Sequence, residues 1–326
     1  MNILITGGCG YIGSCLSKMI NDNFKSYQLF IIDDLSTGNK EIQDKIKSNF
    51  FIGKYSDSKI LNKIFSKNKI DLVIHLAAKA IVKDSVKYPK SYINNNYKDS
   101  KKFIDFCIHN KVTNFLFSST CNLYKFTEKK INEKNTIRLN SPYARSKYLL
   151  ENYFHKLKKK NKNIKCIIFR FFNVSGSYNG IGEMHKVETH LIPNVIKALQ
   201  YNKILKIYGN NYKTKDGTTI RDYIHVKDIS LAFLKAIKII KSKKSIKNLI
   251  INLGSNKGTS IKEIVDIIKR LYGINLKVKF EKKRDGDPAK LVASVTKAKK
   301  ILNWYPSNSN IVNIIRSNYK FYEKKY

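Results

Sequence analysis

Residues 2–14, NILITGGCGYIGS, decide the fold class of this chain. The apolar run at the start ends in a turn with glycines at positions 7, 10 and 13, and a helical pattern follows directly. Glycines Gly7, Gly10 and Gly13 allow a tight turn, close approach of the backbone to a pyrophosphate, and packing of a helix against a strand. The amides at the helix start favour a phosphate group. The stretch therefore predicts a strand, a dinucleotide-binding turn and a helix.

Short apolar runs alternate with helical stretches along the first half of the chain. Runs rich in β-branched and aromatic residues predict strands at residues 3–6, 29–32, 72–77, 115–118 and 166–171. The intervals between these runs are long enough for crossover helices, which is typical of an α/β fold. We therefore predict a Rossmann-type, doubly wound parallel sheet.

The second half of the chain is less regular. A helix is predicted over residues 261–272, because Ser260 and Glu263 have the spacing of a capping box and Gly273 stands where the helix would stop. No repeat or long linker separates the halves. We predict a Rossmann domain over residues 1–175 and a smaller C-terminal α/β substrate domain over residues 176–326, with the chain crossing back once to the first domain.

Composition limits the classes of function. The chain has 326 residues and is 42% hydrophobic, which is enough for a sizeable core. Its net charge is +39, from 63 Lys and Arg against 24 Asp and Glu. The excess is lysine spread along the whole chain beside abundant isoleucine and asparagine, all of which have A- and T-rich codons. We therefore predict no nucleic-acid partner, although a positive field would favour an anionic substrate.

Cysteine usage and hydropathy indicate the cellular compartment in which the protein is expected. The five cysteines are scattered and form no Cys-x-x-Cys pair, which fits reduced thiols in a cytoplasm better than disulfides. No run approaches the roughly 20 apolar residues of a membrane span. We expect a cytoplasmic protein without a membrane segment.

Asp33 supports the dinucleotide site and selects the cofactor. It ends the second predicted strand, 20 residues after Gly13. An acidic residue at this distance binds a ribose 2′-hydroxyl. Its charge would repel a 2′-phosphate, and no arginine follows within DDLSTGN, residues 33–39. The sequence predicts NAD as the cofactor, against the alternative of an ordinary glycine-rich turn.

The stretch SPYARSKYLLENY, residues 141–153, places Tyr143 and Lys147 four residues apart on a predicted helix that begins with the capping Ser141. An ammonium group at that spacing could stabilise a phenolate and lower the tyrosine pKa. Taken alone, the pair fits the surface of an amphipathic helix better than a catalytic site, because the chain has 20 Tyr and abundant Lys. Hydroxyls at a predicted strand end, from Ser118 to Thr120, make alcohol oxidation at a nicotinamide the better hypothesis, with Tyr143 as the base.

Two histidines were considered as metal ligands. His185 and His190 are five residues apart in MHKVETH, which is not the helical i, i+4 spacing of paired ligands, so we predict no metal. His225 is interpreted as a packed structural residue.

Several motifs together resemble one family. They are GGCGYIGS (7–14), DDLSTGN (33–39), HLAAKAIV (75–82), YINNN (92–96), SPYARSK (141–147), FRFFNVSG (169–176), YGNNYKTKDGTTIRDYIHVKD (208–228) and RDGDPAKLVAS (284–294). On these stretches the chain resembles the extended short-chain dehydrogenase/reductase family and, within it, the UDP-glucose 4-epimerases from end to end. The resemblance implies an isomerase that keeps NAD bound and interconverts UDP-galactose and UDP-glucose. The sugar would be oxidised at C4, the 4-keto intermediate would rotate, and the hydride would return.

The resemblance also implies residue roles and a homodimer formed through a helix pair. Tyr143 would be the base, Lys147 would bind the nicotinamide ribose and keep the tyrosine acidic, and Thr120 would hydrogen-bond the 4-oxygen. The residues implied at the cofactor are Gly7, Gly10, Tyr11, Ile12, Gly13, Asp33, Asp34, Ser36, Lys79, Asn95, Ser118, Tyr143, Lys147 and Phe172. The residues implied at the UDP-sugar are Thr120, Asn173, Leu191, Arg221, Tyr223, Arg284 and Asp287. The C-terminal part then becomes a UDP-sugar-binding domain.

Three positions depart from the family pattern. Lys54 replaces an acidic residue that contacts adenine, with Asp57 nearby, and Lys125 replaces a glycine near the nicotinamide. Leu291 has intermediate size where the family controls access for an N-acetyl group, so the glucose and N-acetylglucosamine series both stay open.

Alternatives remain for the function and for one arginine. A UDP-N-acetylglucosamine or UDP-glucuronate 4-epimerase, or a non-catalytic NAD-binding sensor, would keep the same fold. A sugar 4,6-dehydratase fits less well, because Cys121 and Asn122 stand where it needs an acid and a base. Arg221 could instead form an internal salt bridge with Asp222 or Asp228.

Overall fold

The computed structural model describes residues 1–185, 188–242, 249–273, 276–284 and 286–323. The strands formed within these residues are β1 (Asn2–Thr6), β2 (Gln28–Asp33), β3 (Asn49–Ile52), β4 (Leu72–His75), β5 (Asn114–Thr120), β6 (Lys165–Phe171), β7 (Asn173–Ser175), β8 (Leu205–Tyr208), β9 (Ile220–Arg221), β10 (Tyr223–His225), β11 (Leu249–Leu253), β12 (Thr259–Ser260), β13 (Val278–Glu281) and β14 (Lys290–Leu291).

The α-helices of the described residues are α1 (Tyr11–Asn23), α2 (Ser58–Phe65), α3 (Val82–Lys87), α4 (Pro89–Ile93), α5 (Ser100–His109), α6 (Pro142–Lys160), α7 (Leu191–Gln200), α8 (Val226–Lys241), α9 (Ile261–Tyr272), α10 (Thr296–Leu302) and α11 (Ile311–Glu323). A π-helical segment, Asn94–Asp99, connects α4 to α5, and short 3₁₀ turns cover Lys40–Lys45 and Cys121–Leu123. None of the described helices is both long and apolar enough to cross a bilayer.

The chain divides into two compact units, each built from three segments. The first unit comprises Met1–Leu123, Ile137–Phe171 and Ser230–Ile251. The second unit comprises Tyr124–Thr136, Phe172–Ile229 and Asn252–Tyr326, of which only the described residues are discussed.

A seven-stranded sheet forms the centre of the first unit. Its strand order is β11-β6-β5-β4-β1-β2-β3, and the five pairings from β6 to β3 are parallel. This is the Rossmann order, with β11 added beside β6. The predicted doubly wound sheet is confirmed, and all five predicted strands are present. The strand order reverses between β1 and β4, and ligands of such sheets bind at the carboxyl ends of the strands near that reversal.

The strands β1, β4, β5 and β6 are buried almost throughout, which is typical of a sheet covered by helices, so their sequences are largely continuous apolar runs. Ile3, Leu4 and Ile5 of β1 have no exposed surface. Aromatic rings of α5, α6 and β5 pack together on one face of the sheet, and the fully buried members are Phe103, Phe154, Phe115 and Phe117. Burial of each such ring contributes about 2–3 kcal/mol of hydrophobic free energy.

The second unit packs α7, α9 and α11 around an apolar cluster beside short strands. Helix α9 begins and ends where the sequence predicts. The Ser260 hydroxyl accepts from Glu263 N at 3.0 Å, the Glu263 carboxylate accepts from Ser260 N at 3.4 Å, and Gly273 closes the helix with φ of +64°. The predicted capping box is therefore confirmed.

Candidate active site

The turn after β1 has the geometry of a phosphate-binding loop. Helix α1 begins at Tyr11 after Gly10, no side chain caps it, and its first turn contains no acidic residue. A Cβ atom on Gly13 would lie 2.1 Å from the carbonyl oxygen of Gly7, which is closer than any real contact. Gly7 itself has φ of +74°. The glycines are therefore required for the turn, and the helix dipole is directed at whatever binds there.

Asp33 connects the glycine-rich turn to the loop after β2. Its Oδ2 accepts from Cys9 N at 2.9 Å and its Oδ1 accepts from Leu35 N at 2.9 Å. Burial raises the pKa of this carboxyl, while these hydrogen bonds act in the opposite direction. The neighbouring Asp34 is exposed and accepts from Ser36 N and Oγ at 3.0 and 2.6 Å. Asp33 thus contacts the glycine-rich turn directly, and Asp34 and Ser36 hydrogen-bond to each other in the loop that follows.

Lys54 and Asp57 lie close in sequence after β3, and both are exposed. Lys54 is exposed after β3, and the Asp57 carboxylate accepts from Lys59 N at 2.8 Å as the N-cap of α2. That carboxylate is engaged in capping the helix.

A buried amide organises the segment around Lys79 and Asn95. Asn96 accepts from Lys79 N at 2.8 Å and donates to Lys79 O at 2.9 Å and Ser146 Oγ at 3.1 Å. Asn95 donates to the same Asn96 oxygen at 2.9 Å. Lys79 is exposed, and its Nζ donates to Ser91 Oγ at 2.7 Å. Asn96 belongs to the YINNN motif, but the sequence offered no signal that it rather than Asn95 would hold this backbone.

Tyr143 and Lys147 both face the interior of the first unit. Ser141 Oγ accepts from Ala144 N at 3.1 Å and caps α6, as predicted. Tyr143 is 8% exposed and Lys147 is 3% exposed. The Tyr143 hydroxyl is hydrogen-bonded to the side chain of Thr120, at the carboxyl end of β5. The structure thus brings the three predicted catalytic residues together, and the interpretation of α6 as a plain surface helix is wrong.

Lys147 is held against the strand that carries Thr120. Its Nζ donates to Ser118 O at 2.9 Å and lies 5.0 Å from the centre of the Phe117 ring. Burial lowers the pKa of Lys147 to about 7, partly opposed by the Glu151 carboxylate. The amine is therefore fixed in position and easily deprotonated.

The expected lowering of the tyrosine pKa is not present in the protein alone. Burial raises the pKa of Tyr143 to about 12, although the hydrogen bond from Thr120 acts to lower it. The reason is that the lysine Nζ is directed at the Ser118 carbonyl while the phenol is removed from water.

His75 is a buried residue that the sequence analysis passed over. Its Nδ1 lies 2.7 Å from Thr6 Oγ1 and its Nε2 lies 2.8 Å from Ser100 Oγ. Burial, and secondly the charge of Lys147, lower the pKa of His75 to about 3. The imidazole is therefore neutral and connects β1, β4 and α5 beneath the reaction site.

A buried ion pair between Arg170 and Glu151 lies near Lys147. Arg170 Nε donates to Glu151 Oε1 at 2.9 Å, and Arg170 Nη2 lies 2.5 Å from Glu151 Oε2. Both side chains are almost fully buried, at 3% and 1% exposure. The pair fixes α6 on β6 and keeps a carboxylate near the Lys147 amine.

In the second unit, Arg221 forms an ion pair that the sequence did not predict. Its Nη1 donates to Ile220 O at 3.0 Å and Pro288 O at 2.8 Å, and its Nη2 lies 3.4 Å from Asp287 Oδ1. The register of β9 with β14 brings these distant segments together. Arg284 lies close by and stacks on Tyr208, with Cζ 4.0 Å from the ring centre.

The suggested salt bridges of Arg221 to Asp222 or Asp228 are wrong. Asp222 is fully buried and accepts from Ser255 N and Oγ, at 2.5 and 2.8 Å, and from two further backbone amides. Asp228 accepts from the Asn308 amide and from Ser309. Burial raises the pKa of Asp222 to about 6. Both carboxylates stabilise loops and do not contact the arginine.

The remaining predicted substrate residues also lie in the second unit. Tyr223 is buried, and burial raises the pKa of its hydroxyl. The charge of Arg221 opposes this rise in pKa, and the charge of Asp287 adds to it. Asn173 pairs with Tyr223 in the β7–β10 ladder, and Leu191 is the first residue of α7 and packs on the same apolar cluster as Tyr223. Tyr212, missed by the sequence analysis, lies within electrostatic reach of Arg221, Arg284 and Asp287.

Of the remaining positions, Phe172, Leu291 and His225 are buried and Lys125 is exposed. Phe172 is buried, and its amide donates to Leu253 O at 3.0 Å. Lys125 is exposed and donates its amide to Thr136 O at 2.8 Å. Leu291 is 4% exposed on β14, in register with Arg221. His225 is packed between Ser309 and Ser317, and burial lowers its pKa to about 4, as its structural interpretation requires.

Comparisons with known proteins place this arrangement in one family. Residues 3–254 match the model of the NAD dependent epimerase/dehydratase family, and the chain belongs to that family. A Lactobacillus helveticus protein described as UDP-glucose 4-epimerase is 34% identical over 99% of this chain and 97% of its own length.

Solved structures agree in fold. The UDP-glucose 4-epimerase of Brucella ovis in complex with NAD is 35% identical, with a TM-score of 0.91 and coverage of 98% of this chain and 97% of that one. The UDP-Glc/GlcNAc 4-epimerase of Campylobacter jejuni is 30% identical, with a TM-score of 0.84 and 99% coverage of both chains. The Rossmann fold, the family resemblance and NAD as the cofactor are thereby confirmed.

Proposed function

We propose that this chain is a UDP-glucose 4-epimerase that interconverts UDP-galactose and UDP-glucose with NAD. The observation that carries the proposal is the Tyr143 hydroxyl bonded to Thr120, one helical turn from a buried Lys147. A phenol, a hydroxyl and an amine in this arrangement suit the removal of a proton from a sugar alcohol. The full-length similarity to proteins described as UDP-glucose 4-epimerases supports the same activity.

The residues of the first unit fit NAD. The turn of Gly7, Gly10 and Gly13 leaves no room for side chains where a pyrophosphate approaches α1. Asp33 is available to a ribose hydroxyl at the end of β2. The residues proposed to complete this binding are Tyr11, Ile12, Asp34, Ser36, Lys79, Asn95, Ser118, Lys147 and Phe172. When bound, NAD⁺ supplies the hydride acceptor at sugar C4 and a nearby positive charge.

Tyr143 takes the proton from the 4-hydroxyl and later returns it to the 4-keto oxygen, after the sugar has turned over. Thr120 hydrogen-bonds both the phenol and the 4-oxygen, so it keeps the two oxygens in line for the transfer. Lys147 holds the ribose of the cofactor and adds positive charge beside the tyrosine. A pKa of about 12 for Tyr143 in the protein alone implies that it becomes an effective base only when cationic groups face it.

The second unit is proposed to bind the nucleotide sugar. Arg221 is preorganised by two backbone carbonyls and Asp287, and Arg284 is supported by the Tyr208 ring. Guanidinium groups bind phosphate oxygens with two parallel hydrogen bonds, which suits a diphosphate. Asn173, Leu191 and Tyr223 are proposed to contact the remainder of the substrate.

Domain roles, assembly and location are part of the same proposal. Residues 1–175 would bind NAD and residues 176–326 the UDP-sugar. The enzyme would be a cytoplasmic homodimer that serves galactose metabolism. All five cysteines are buried and none forms a disulfide, which suits a reducing compartment. Light scattering of the purified protein tests the dimer, and a monomer mass would contradict it.

The activity is tested by adding UDP-galactose without external NAD and following UDP-glucose by chromatography. We expect conversion by the wild type because the cofactor is retained. If conversion requires added NAD, Lys54 is implicated in weak retention. No conversion under either condition would contradict the proposed activity.

UDP-N-acetylglucosamine is a second candidate substrate. The Campylobacter jejuni relative is described as a UDP-Glc/GlcNAc epimerase, and Leu291 is smaller than an aromatic residue at a buried position in register with Arg221. The same assay with UDP-N-acetylgalactosamine and UDP-galacturonate decides among the substrates. If none of the three UDP-sugars is converted, a non-catalytic NAD-binding sensor is favoured.

A further inference from the structure

Three potential ligand groups converge in the segment before α7. The Glu183 carboxylate oxygen, His185 Nε2 and His190 Nδ1 belong to one group whose ligating atoms all lie within 4.8 Å of one another. The helical-spacing argument against a metal does not apply, because His185 lies in irregular structure and His190 is the residue that precedes α7. The two imidazole rings are 5.7 Å apart.

The Glu183 carboxylate is the central observation. It is 1% exposed, and its Oε1 lies 2.5 Å from His190 Nδ1 and 3.0 Å from His185 Nε2. Both distances are those of an ion pair between the carboxylate and an imidazole nitrogen, and no described residue donates to Glu183 Oε2. This buried charge requires compensation, which comes either from protonated imidazoles or from one metal cation that neutral imidazoles share with the carboxylate.

We propose that Glu183, His185 and His190 bind one divalent transition-metal cation of the zinc class. Two imidazole nitrogens and one carboxylate oxygen form a ligand set that Zn²⁺ accepts, whereas Mg²⁺ and Ca²⁺ prefer oxygen ligands. In a tetrahedral site with bonds of about 2.1 Å, ligand atoms lie about 3.4 Å apart. The two carboxylate–imidazole separations, 2.5 and 3.0 Å, are shorter than that value, so rotations of the partly exposed imidazoles away from Glu183 complete the site.

Glu183 is held in place by its neighbours, whereas the two imidazoles are partly exposed and have room to rotate. The Glu183 carbonyl accepts from the buried Tyr322 hydroxyl at 2.9 Å, and Gly182 packs on the Phe321 ring, where a Cβ would lie 2.7 Å from a ring atom. The side chains of His185 and His190 are 32% and 51% exposed. Glu188 Oε1 lies 3.2 Å from His190 Nδ1 and accepts from His190 N at 2.8 Å. The fourth position is taken by Glu188 or water.

The consequence is local stabilisation of α7. The metal would join the segment before α7 to α11, through Glu183 and its contact with Tyr322. It would thereby fix the start of the helix that carries Leu191. This is a structural role, and it does not depend on the proposed epimerase activity.

The test measures metal content directly. The full chain, freed of any affinity tag and stripped with a chelator, is incubated with excess Zn²⁺ and passed through gel filtration before elemental analysis. We expect one Zn²⁺ per chain for the wild type, and at least a tenfold loss for Glu183→Gln and His190→Asn. His109→Asn, which changes an exposed histidine elsewhere and leaves all cysteines in place, should keep full content.

Spectroscopy and stability supply independent readouts. Co²⁺ in place of Zn²⁺ should give the intense visible absorption of a four-coordinate ion in the wild type only. Zn²⁺ should raise the thermal midpoint of the wild type and leave that of Glu183→Gln unchanged. Circular dichroism of the variants checks that they fold. The proposal is overturned if the wild type retains no metal, or if folded Glu183→Gln retains as much as the wild type, in which case the cluster is an ion pair of imidazolium and carboxylates.

Discussion

Burial moves the pKa values of Tyr143 and Lys147 in opposite directions, to about 12 and about 7. Each shift favours the neutral form of its group, because a charged side chain loses hydration in the interior. The protein alone therefore holds a protonated phenol beside an amine that gives up its proton easily. We propose that the positive charge of the bound nicotinamide lowers the pKa of Tyr143 and makes the pair catalytic.

Removal of the Tyr143 hydroxyl tests its role as the base. We expect Tyr143→Phe to lower kcat by about 10²–10⁴-fold, because proton transfer by a positioned side chain contributes that much. The fold and the bound NAD should be unchanged. Tyr92→Phe removes a hydroxyl that donates to Ile81 O from a ring next to Tyr143, and should keep kcat within a few-fold. Equal losses in the two variants would contradict the assignment.

His75 gives a pH dependence of stability. Its pKa is about 3 in the folded protein against about 6.5 in the unfolded chain, so below pH 6.5 only the unfolded chain takes up the proton. Stability is therefore complete above pH 6.5 and falls as the pH approaches 3, by about 2 kcal/mol at pH 5.

Urea unfolding at pH 7 and pH 5 measures this effect. The wild type should lose about 2 kcal/mol more between the two pH values than His75→Gln does. The matched variant His109→Gln changes an exposed imidazole and should behave as the wild type does. Parallel losses in the wild type and His75→Gln would show that His75 does not titrate in this way.

At the scale of elements, the contact between the turn and α1 depends on one missing methyl group. An alanine at 13 would place its Cβ 2.1 Å from Gly7 O, so either the turn or the helix must move. We expect Gly13→Ala to lower the NAD content of the purified protein at least tenfold. Gly273→Ala is the matched control, because its φ of +64° costs about 1 kcal/mol of strain but no atom of the described part of the chain lies within 4 Å of the new Cβ. Unchanged NAD content in Gly13→Ala would contradict the assignment of the turn.

The attachment of α6 to β6 depends on the Glu151–Arg170 pair. Both side chains are buried, so Glu151→Gln leaves an uncompensated charge and should cost about 3–5 kcal/mol of the free energy of unfolding. Asp22→Asn breaks the more exposed Lys18–Asp22 pair on α1 and should cost under about 1 kcal/mol. Chemical denaturation of the three proteins gives both values. A similar small cost for both variants would mean that the buried pair is not holding α6.

For the whole molecule, the sequence predicts what depends on local pattern. Apolar runs predict strands of the first unit, and serine at the N-cap predicts where α6 and α9 begin. The spacing of one helical turn predicts that Tyr143 and Lys147 lie on one face of α6, where they meet Thr120. Long-range pairing does not follow in this way. Strands β3 and β11 were missed, and the partner of Arg221 is Asp287, 66 residues away in sequence and aligned by the β9–β14 register. The prediction of no metal at His185 and His190 rests on helical spacing, which does not govern His185 because it lies outside a helix.

The net charge of +39 is a property of the whole molecule with a kinetic consequence. A positive field raises the local concentration of an anionic substrate and is screened by salt. We expect the KM for UDP-galactose to rise about two- to fivefold between roughly 0.05 and 0.5 M NaCl, with kcat nearly constant. A KM independent of salt would show that the lysine excess does not act on the substrate.

The central claim is that the hydrogen removed from sugar C4 returns to C4. It is tested most directly with UDP-galactose carrying deuterium at C4, in ordinary water, with the UDP-glucose product analysed by mass spectrometry and NMR. The account predicts that the product keeps deuterium at C4 with inverted configuration. A product with ordinary hydrogen at C4 would contradict it, because the hydrogen would then have exchanged with solvent.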